Sequence, residues 1–164
     1  MRFANPQRTI DQLKKIRGFA VADFGAGTGA YTLPLAKRIG EEGRVYAIDV
    51  QKELTAKIKN QATADTISNV EVIWGDIERF GATKLENDTI DLVVVANVLF
   101  QVEDRIGLVK EVGRVLKHNG QVLIIDWRDS YGSIGPHPDT VVCCDDARHM
   151  FENEGFTYDR LLET

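Results

Sequence analysis

Residues 19–24, Phe-Ala-Val-Ala-Asp-Phe, run directly into Gly25-Ala26-Gly27-Thr28-Gly29-Ala30, and this junction constrains the fold more than any other stretch of the chain. A short, nearly unbroken apolar run is the pattern of a strand buried on both faces, as in a parallel sheet covered by helices. Glycines at alternate positions then let the backbone turn sharply and let a ligand approach where a Cβ would collide. Helical spacing resumes at Leu33, Ala36, Lys37 and Ile39. Pro34 lacks an amide proton and is tolerated only in a first turn, so the helix starts near Tyr31 or Thr32. Gly40 is a natural stop. The unit is strand, glycine turn, helix, which serves either as a plain connection or as a ligand cradle.

The rest of the chain continues the alternation of strand and helix. Residues 43–49 read as a second strand closing on an acid, Asp49, 24 positions beyond Gly25. A helix over 51–62 turns Leu54, Thr55 and Ile58 inward, and a third strand, 69–74, leads into Gly75-Asp76-Ile77. Polar residues 80–88 form a loop or short helix. Residues 91–97, Asp-Leu-Val-Val-Val-Ala-Asn, are continuously apolar and β-branched, hence a central strand, and they open into Val98-Leu99-Phe100-Gln101. A helix over 104–117 directs Ile106, Val109, Val112 and Leu116 to one face, and His118-Asn119-Gly120 turns into a fifth strand at 121–127. The stretch 128–140 holds Gly132, Gly135, Pro136 and Pro138 and is long enough to be functional. Cys143 stands where a Ser or Thr would cap a helix, Asp145 and Asp146 suit its positive end, and Ala147, Met150 and Phe151 form its inward face. Residues 156–162 supply a sixth strand. At the other end Ile10, Leu13 and Ile16 recur at helical spacing with Lys14, Lys15 and Arg17 between them, an amphipathic helix preceded by Phe3, Pro6 and Arg8.

Composition narrows the function classes. With 164 residues the chain is long enough for one domain, 1–164, with a substantial core. Apolar runs fall short of the roughly 20 residues of a membrane span and no signal-peptide core is visible, so the expected compartment is the cytoplasm. The two cysteines, Cys143 and Cys144, are adjacent; they form no ordinary structural disulfide and lack metal-ligand spacing, and no metal is expected. A net charge of −5 argues against nucleic acid as a partner, because binding a phosphate backbone needs clustered Lys and Arg.

An acid at Asp49 can accept hydrogen bonds from both ribose hydroxyls of a nucleoside whose tail lies over the glycines, and two such cofactors fit. Gly25-x-Gly27-x-x-Ala30 satisfies the dinucleotide form of the motif, in which a pyrophosphate sits on the helix N-terminus. Asp23-x-Gly25-x-Gly27-x-Gly29 resembles the signature of class I S-adenosylmethionine (SAM) methyltransferases. A carboxylate at Asp23 repels a pyrophosphate and favours the ammonium of a methionine tail. The resemblance extends over about residues 18–156 and is nearest the small-molecule branch that includes ubiquinone and menaquinone biosynthesis enzymes. Leu116-Lys117-His118-Asn119-Gly120 is similar to that family's "L-K-P-G-G" turn, with His118 at the proline position.

The resemblance implies a three-layer Rossmann-like α/β sandwich with a mostly parallel sheet in order 3-2-1-4-5. It implies an N-terminal helix or lid at 1–18, a cofactor-binding core at 19–127, and a loop, last helix and strand at 128–164. It assigns Asp23, Gly25, Ala26, Gly27 and Gly29 to the methionine portion of SAM, Asp49 with Val50 to the ribose end, Asp76 and Ile77 to the adenine, and Asn97 to the methyl-transfer site. Base-directed amino-group methyltransferases carry two prolines after that Asn; here they are absent, and a small-molecule acceptor is expected, with S-adenosylhomocysteine (SAH) as product. Candidate substrate contacts are Phe100, Gln101, Trp127 and His137, of which His137 alone carries a side chain of the general-base type; no catalytic base is assigned. A NAD-dependent oxidoreductase and a non-catalytic SAM-binding scaffold are the alternatives. The family's sheet usually ends in two antiparallel strands, whereas eight residues follow Phe156. The expectation is therefore a six-stranded sheet truncated at the C-terminus, with 156–162 paired to strand 5, or a homodimer through that edge.

Overall fold

A computed structural model describes residues 4–131 and 135–163; Met1, Arg2, Phe3, Gly132, Ser133, Ile134 and Thr164 lie outside the described residues. The chain order is α1 (Pro6–Asp11), β1 (Ala20–Phe24), α2 (Thr32–Ile39), β2 (Arg44–Asp49), α3 (Lys52–Ala64), β3 (Val70–Trp74), β4 (Ile90–Ala96), α4 (Arg105–Val115), β5 (Leu116–Ile125), a 3-10 turn (Pro138–Thr140) and α5 (Cys144–Asn153). The strands form one parallel sheet in the order β3-β2-β1-β4-β5. Succession reverses between β1 and β4, which makes the C-terminal ends of these two strands the topological switch point where sheets of this kind bind their ligands.

Both faces of the sheet are covered, which is why its central strands are apolar at successive positions. Val21, Leu92 and Val94 pack with Ile10, Leu35 and Ile39 on one face, where α1 and α2 lie. Ala22, Phe24, Val93 and Val95 pack with Leu108, Val112 and Phe151 from α4 and α5 on the other. Pro34 falls in the first turn of α2 and Gly40 is its C-cap, as the sequence indicates. Cys143 caps α5, its sulfur accepting the Asp146 amide proton, so this thiol fills a Ser-like role; both cysteines are free and exposed.

Four expectations need correction. The N-terminal helix is only Pro6–Asp11; Leu13 and Ile16 are buried beyond it, on either side of a turn at Lys15 with φ +57°. On α4 the inward face is Leu108, Val109, Glu111, Val112 and Val115, with Ile106 exposed. That rotation brings Glu111 fully inside, where it pairs with Arg114 at 2.7 Å and accepts the Gly81 and Thr83 amide protons. Burial opposes its charge, but the hydrogen bonds from Arg114, Thr83 and Gly81 outweigh that and hold its carboxyl below the usual range. In β5 the pairing steps from Ile90↔Leu116 to Leu92↔Gln121, so 117–120 bulge out, His118 is exposed, and the strand ends at Ile125 rather than Trp127.

The fourth correction is the sixth strand. Residues 156–162 do not join the sheet, and five strands are present among the described residues. The segment is held by its ends: Phe156 meets Phe151 edge-on at 5.2 Å on one face, while Leu162 packs on the opposite face. The Gln12 side-chain amide grips the Glu163 backbone twice, Nε2 donating to its carbonyl at 2.6 Å and Oε1 accepting its amide proton at 2.9 Å. Residues 157–161 are exposed throughout, so they lack the buried alternate positions that fix a strand's register.

Candidate functional site

The parallel sheet brings the ends of β1, β2, β3 and β4 to one edge, and with them Asp23, Asp49 and Asp76. The turn after β1 is tight because its three alternate glycines all adopt left-handed conformations, φ +73° at Gly25, +55° at Gly27 and +84° at Gly29. Gly25 and Ala26 donate their amide protons to the Ile48 carbonyl, at 2.9 and 3.0 Å, which fastens the turn to β2. A Cβ on Gly25 would stand 2.6 Å from Val98 Cγ2, and one on Gly29 3.2 Å from Ile58 Cγ1. At Gly27 the nearest atom would be 3.9 Å away, so the middle of the turn faces open space.

The acids differ in what they already hold. Asp23 is 2% exposed, and its Oδ2 accepts the Thr32 hydroxyl proton at 2.6 Å, beneath the start of α2. Burial pushes its carboxyl up to about 6, against the Thr32 hydrogen bonds and with a smaller contribution from Asp49. Asp49 Oδ2 accepts the Gly27 amide proton and Oδ1 that of Gln51, both at 2.9 Å. Val50 beside it is 56% exposed, and its carbonyl accepts the Trp74 indole proton at 2.9 Å. Asp76 is half-buried and accepts the Glu78 amide proton at 2.9 Å; Ile77 is buried, 3.7 Å from the position of a Gly25 Cβ.

The acceptor-side candidates divide. Asn97 is exposed at φ +56°, donates its amide proton to Ile125 O at 2.7 Å and accepts from the Gln101 side chain at 2.8 Å. Phe100 and Trp127 are half-buried, and Gly135 lies so close to the Trp127 ring that a Cβ would come within 2.6 Å. His137 is exposed and occupied in capping its own turn, accepting the Asp139 amide proton with Asp139 Oδ2 at 3.3 Å. Three neighbours of the site escaped the sequence reading: Thr32, Arg105 and Asp126. Asp126 had a signal, since an acid immediately after an apolar strand is also what marks Asp23 and Asp49.

Charge discriminates between the two nucleoside cofactors. Asp23, Asp49, Asp76 and Asp126 all lie at strand ends on this edge, and a pyrophosphate placed there would meet carboxylates rather than amides alone. A cradle with an open Gly27 and acids around it fits a nucleoside with a cationic tail. Two open clefts elsewhere, of about 370 and 400 Å³, lack this combination; the first lies at the opposite strand ends, by Phe19, Asp91 and Gln121.

Known proteins agree with that assignment. Residues 21–120 match the family described as "Methyltransferase domain". Over 109 residues the chain is 31% identical to the demethylmenaquinone methyltransferase of Bacillus mycoides, covering 66% of this chain and 45% of that protein. It is 31% identical over 121 residues to the ubiquinone/menaquinone biosynthesis C-methyltransferase of Idiomarina loihiensis, covering 73% and 47%. The crystal structure of a SAM-dependent methyltransferase from Aquifex aeolicus superposes with a TM-score of 0.86 at 28% identity, over 97% of this chain and 83% of the other. The chain thus spans about half the length of these curated relatives. Fold order, glycine turn and sequence similarity converge: the chain belongs to the class I S-adenosylmethionine-dependent methyltransferases.

Proposed function

We propose that this protein transfers a methyl group from SAM to a small-molecule acceptor. The observation that carries the reading is the hydrogen bond from Gly27 to Asp49, which couples the open centre of the glycine turn to the acid at the end of β2. In this reading the turn Gly25–Gly29 holds the methionine portion, with Ala26 in its backbone and Asp23 supplying negative charge from below. Asp49 accepts from the ribose, Val50 and Ile77 flank the adenine, and Asp76 accepts from its amino group. When bound, SAM supplies a methyl group on a sulfonium, already electrophilic, so that the C–S bond breaks as the acceptor's lone pair forms the new bond and SAH leaves neutral at sulfur.

The chain's own task is then to orient the acceptor and exclude water. Asn97, Phe100, Gln101 and Trp127 are the residues we place on the acceptor side. His137 is the weakest of the candidates because its ring already caps the 138–140 turn. The names of the relatives make a demethylmenaquinone-type ring the first acceptor to try. The homodimer belongs to the same proposal, supported by the outer edge of β5, which has no strand partner among the described residues. Among the described residues no helix is long and apolar enough to cross a membrane. Calorimetry with SAM, SAH and NAD tests the cofactor: micromolar binding of SAM and SAH with none of NAD is expected, and no binding of either sulfur compound at about 1 mM, a free energy near −4 kcal/mol, overturns the reading. Turnover with demethylmenaquinone analogues and sedimentation of the pure protein test acceptor and assembly.

A further inference from the structure

Asn97 holds φ +56°, a left-handed conformation in which Asn is enriched among non-glycine residues, and the turn after β4 starts there. Two residues outside the strand hold the turn that follows. Asp126, one position past β5, accepts two consecutive amide protons with one oxygen: Oδ2 takes Val98 N–H at 3.1 Å and Leu99 N–H at 2.8 Å, while Oδ1 takes its neighbour Trp127 N–H at 2.8 Å. Arg105, the first residue of α4, completes the arrangement by donating its Nε proton to the Leu99 carbonyl at 2.9 Å. Its Nη2 reaches the Thr140 carbonyl at 3.3 Å, which ties in the far end of the loop after β5. The turn after β4 is therefore held by its amides from one side and by its carbonyl from the other. Its side chain Val98 in turn fills the space that Gly25 leaves empty.

We infer that Asp126 and Arg105 are positioning residues: they clamp the turn after β4 so that Val98 supports the glycine turn while Asn97 and Phe100 face the acceptor. The inference rests on the proposed cofactor reading. Neither residue is placed against the cofactor; both act through Val98, Leu99 and the backbone. Burial raises the Asp126 carboxyl, against the amide donors and the Arg105 charge, so the clamp has a titration of its own.

The test uses the full chain with SAH as ligand. In the wild type the Val98 and Leu99 amide resonances should titrate together, with a midpoint above that of an ordinary Asp, and both amides should be slow to exchange. Asp126→Ala should release both amides to exchange and weaken SAH about tenfold, as loss of charged hydrogen bonds to a supporting turn implies. Asp126→Asn keeps an oxygen acceptor and should bring SAH affinity back to within about threefold of wild type, without the titration. Arg105→Lys, which replaces a two-pronged donor by a single one, should fall between. Released amides with unchanged SAH affinity would make the clamp purely structural and overturn the inference, as would amides that do not titrate. If Asp126→Ala does not fold, the Asn and Lys variants and the titration decide alone. Failure of the wild type to bind SAH would instead remove the cofactor reading itself.

Discussion

Asp23 carries a titration that the unfolded chain does not share, and Asp23→Asn isolates it. In the folded protein its carboxyl is raised from 3.8 to about 6, chiefly by burial. A raised carboxyl means that the folded state holds its proton more tightly than the unfolded state between those two values. Stability from this group is thus fully present below pH 3.8 and is lost as pH rises through 6. That rise, at 1.36 kcal/mol per pH unit, makes the ionised Asp23 cost about 3 kcal/mol at neutral pH. Urea unfolding of cofactor-free wild type and Asp23→Asn at pH 4 to 8 would measure it. Because an unfolded Asp is already more than half ionised at pH 4, the difference between the two stabilities should move by about 2.4 kcal/mol in favour of Asn from pH 4 to pH 7, and then stay level. Any fixed cost of an amide beside Thr32 displaces the whole difference curve without changing its shape. A difference that stays level from pH 4 to 7 would refute the reasoning. The same charge that costs stability is the one proposed to face the methionine ammonium, so SAM affinity should rise over the window where stability falls, and Asn should abolish that dependence.

Asp49→Ala removes the proposed ribose acceptor together with the partner of the Gly27 amide, and calorimetry should show SAM weakened by about 1.5 to 3 kcal/mol. Gly27→Val asks a β-branched residue to adopt φ +55° in front of the cradle; SAM binding should vanish while thermal unfolding stays cooperative, because the turn lies outside the core. Glu111→Ala serves as the control away from the site: it leaves Arg114 and the Gly81 and Thr83 amides short of a buried acceptor, and urea unfolding should register a loss of about 3 to 5 kcal/mol.

What could be read from the sequence acts over a few residues. Continuous apolar runs marked the central strands, alternate glycines the turn, Pro34 the start of α2, and Cys143 the cap of α5, since each depends on the local backbone. The sheet order followed from family resemblance and the switch from one half of the chain to the other. Side-chain surroundings were not legible in the same way. Nothing near Glu111 in sequence announces its burial, because its amide partners, Gly81 and Thr83, lie 30 and 28 positions away. The Asp126 clamp likewise reaches back 28 residues to Val98. Asp23 was legible as an acid before a glycine turn, but its depth under α2 and its raised carboxyl came from the packed layer that buries it, against the opposing hydrogen bonds from Thr32. Residues 156–162 carry strand-forming side chains, yet a strand exists only where a neighbour takes its backbone hydrogen bonds, and tertiary packing instead anchored Phe156 and Leu162 on opposite faces of the sheet.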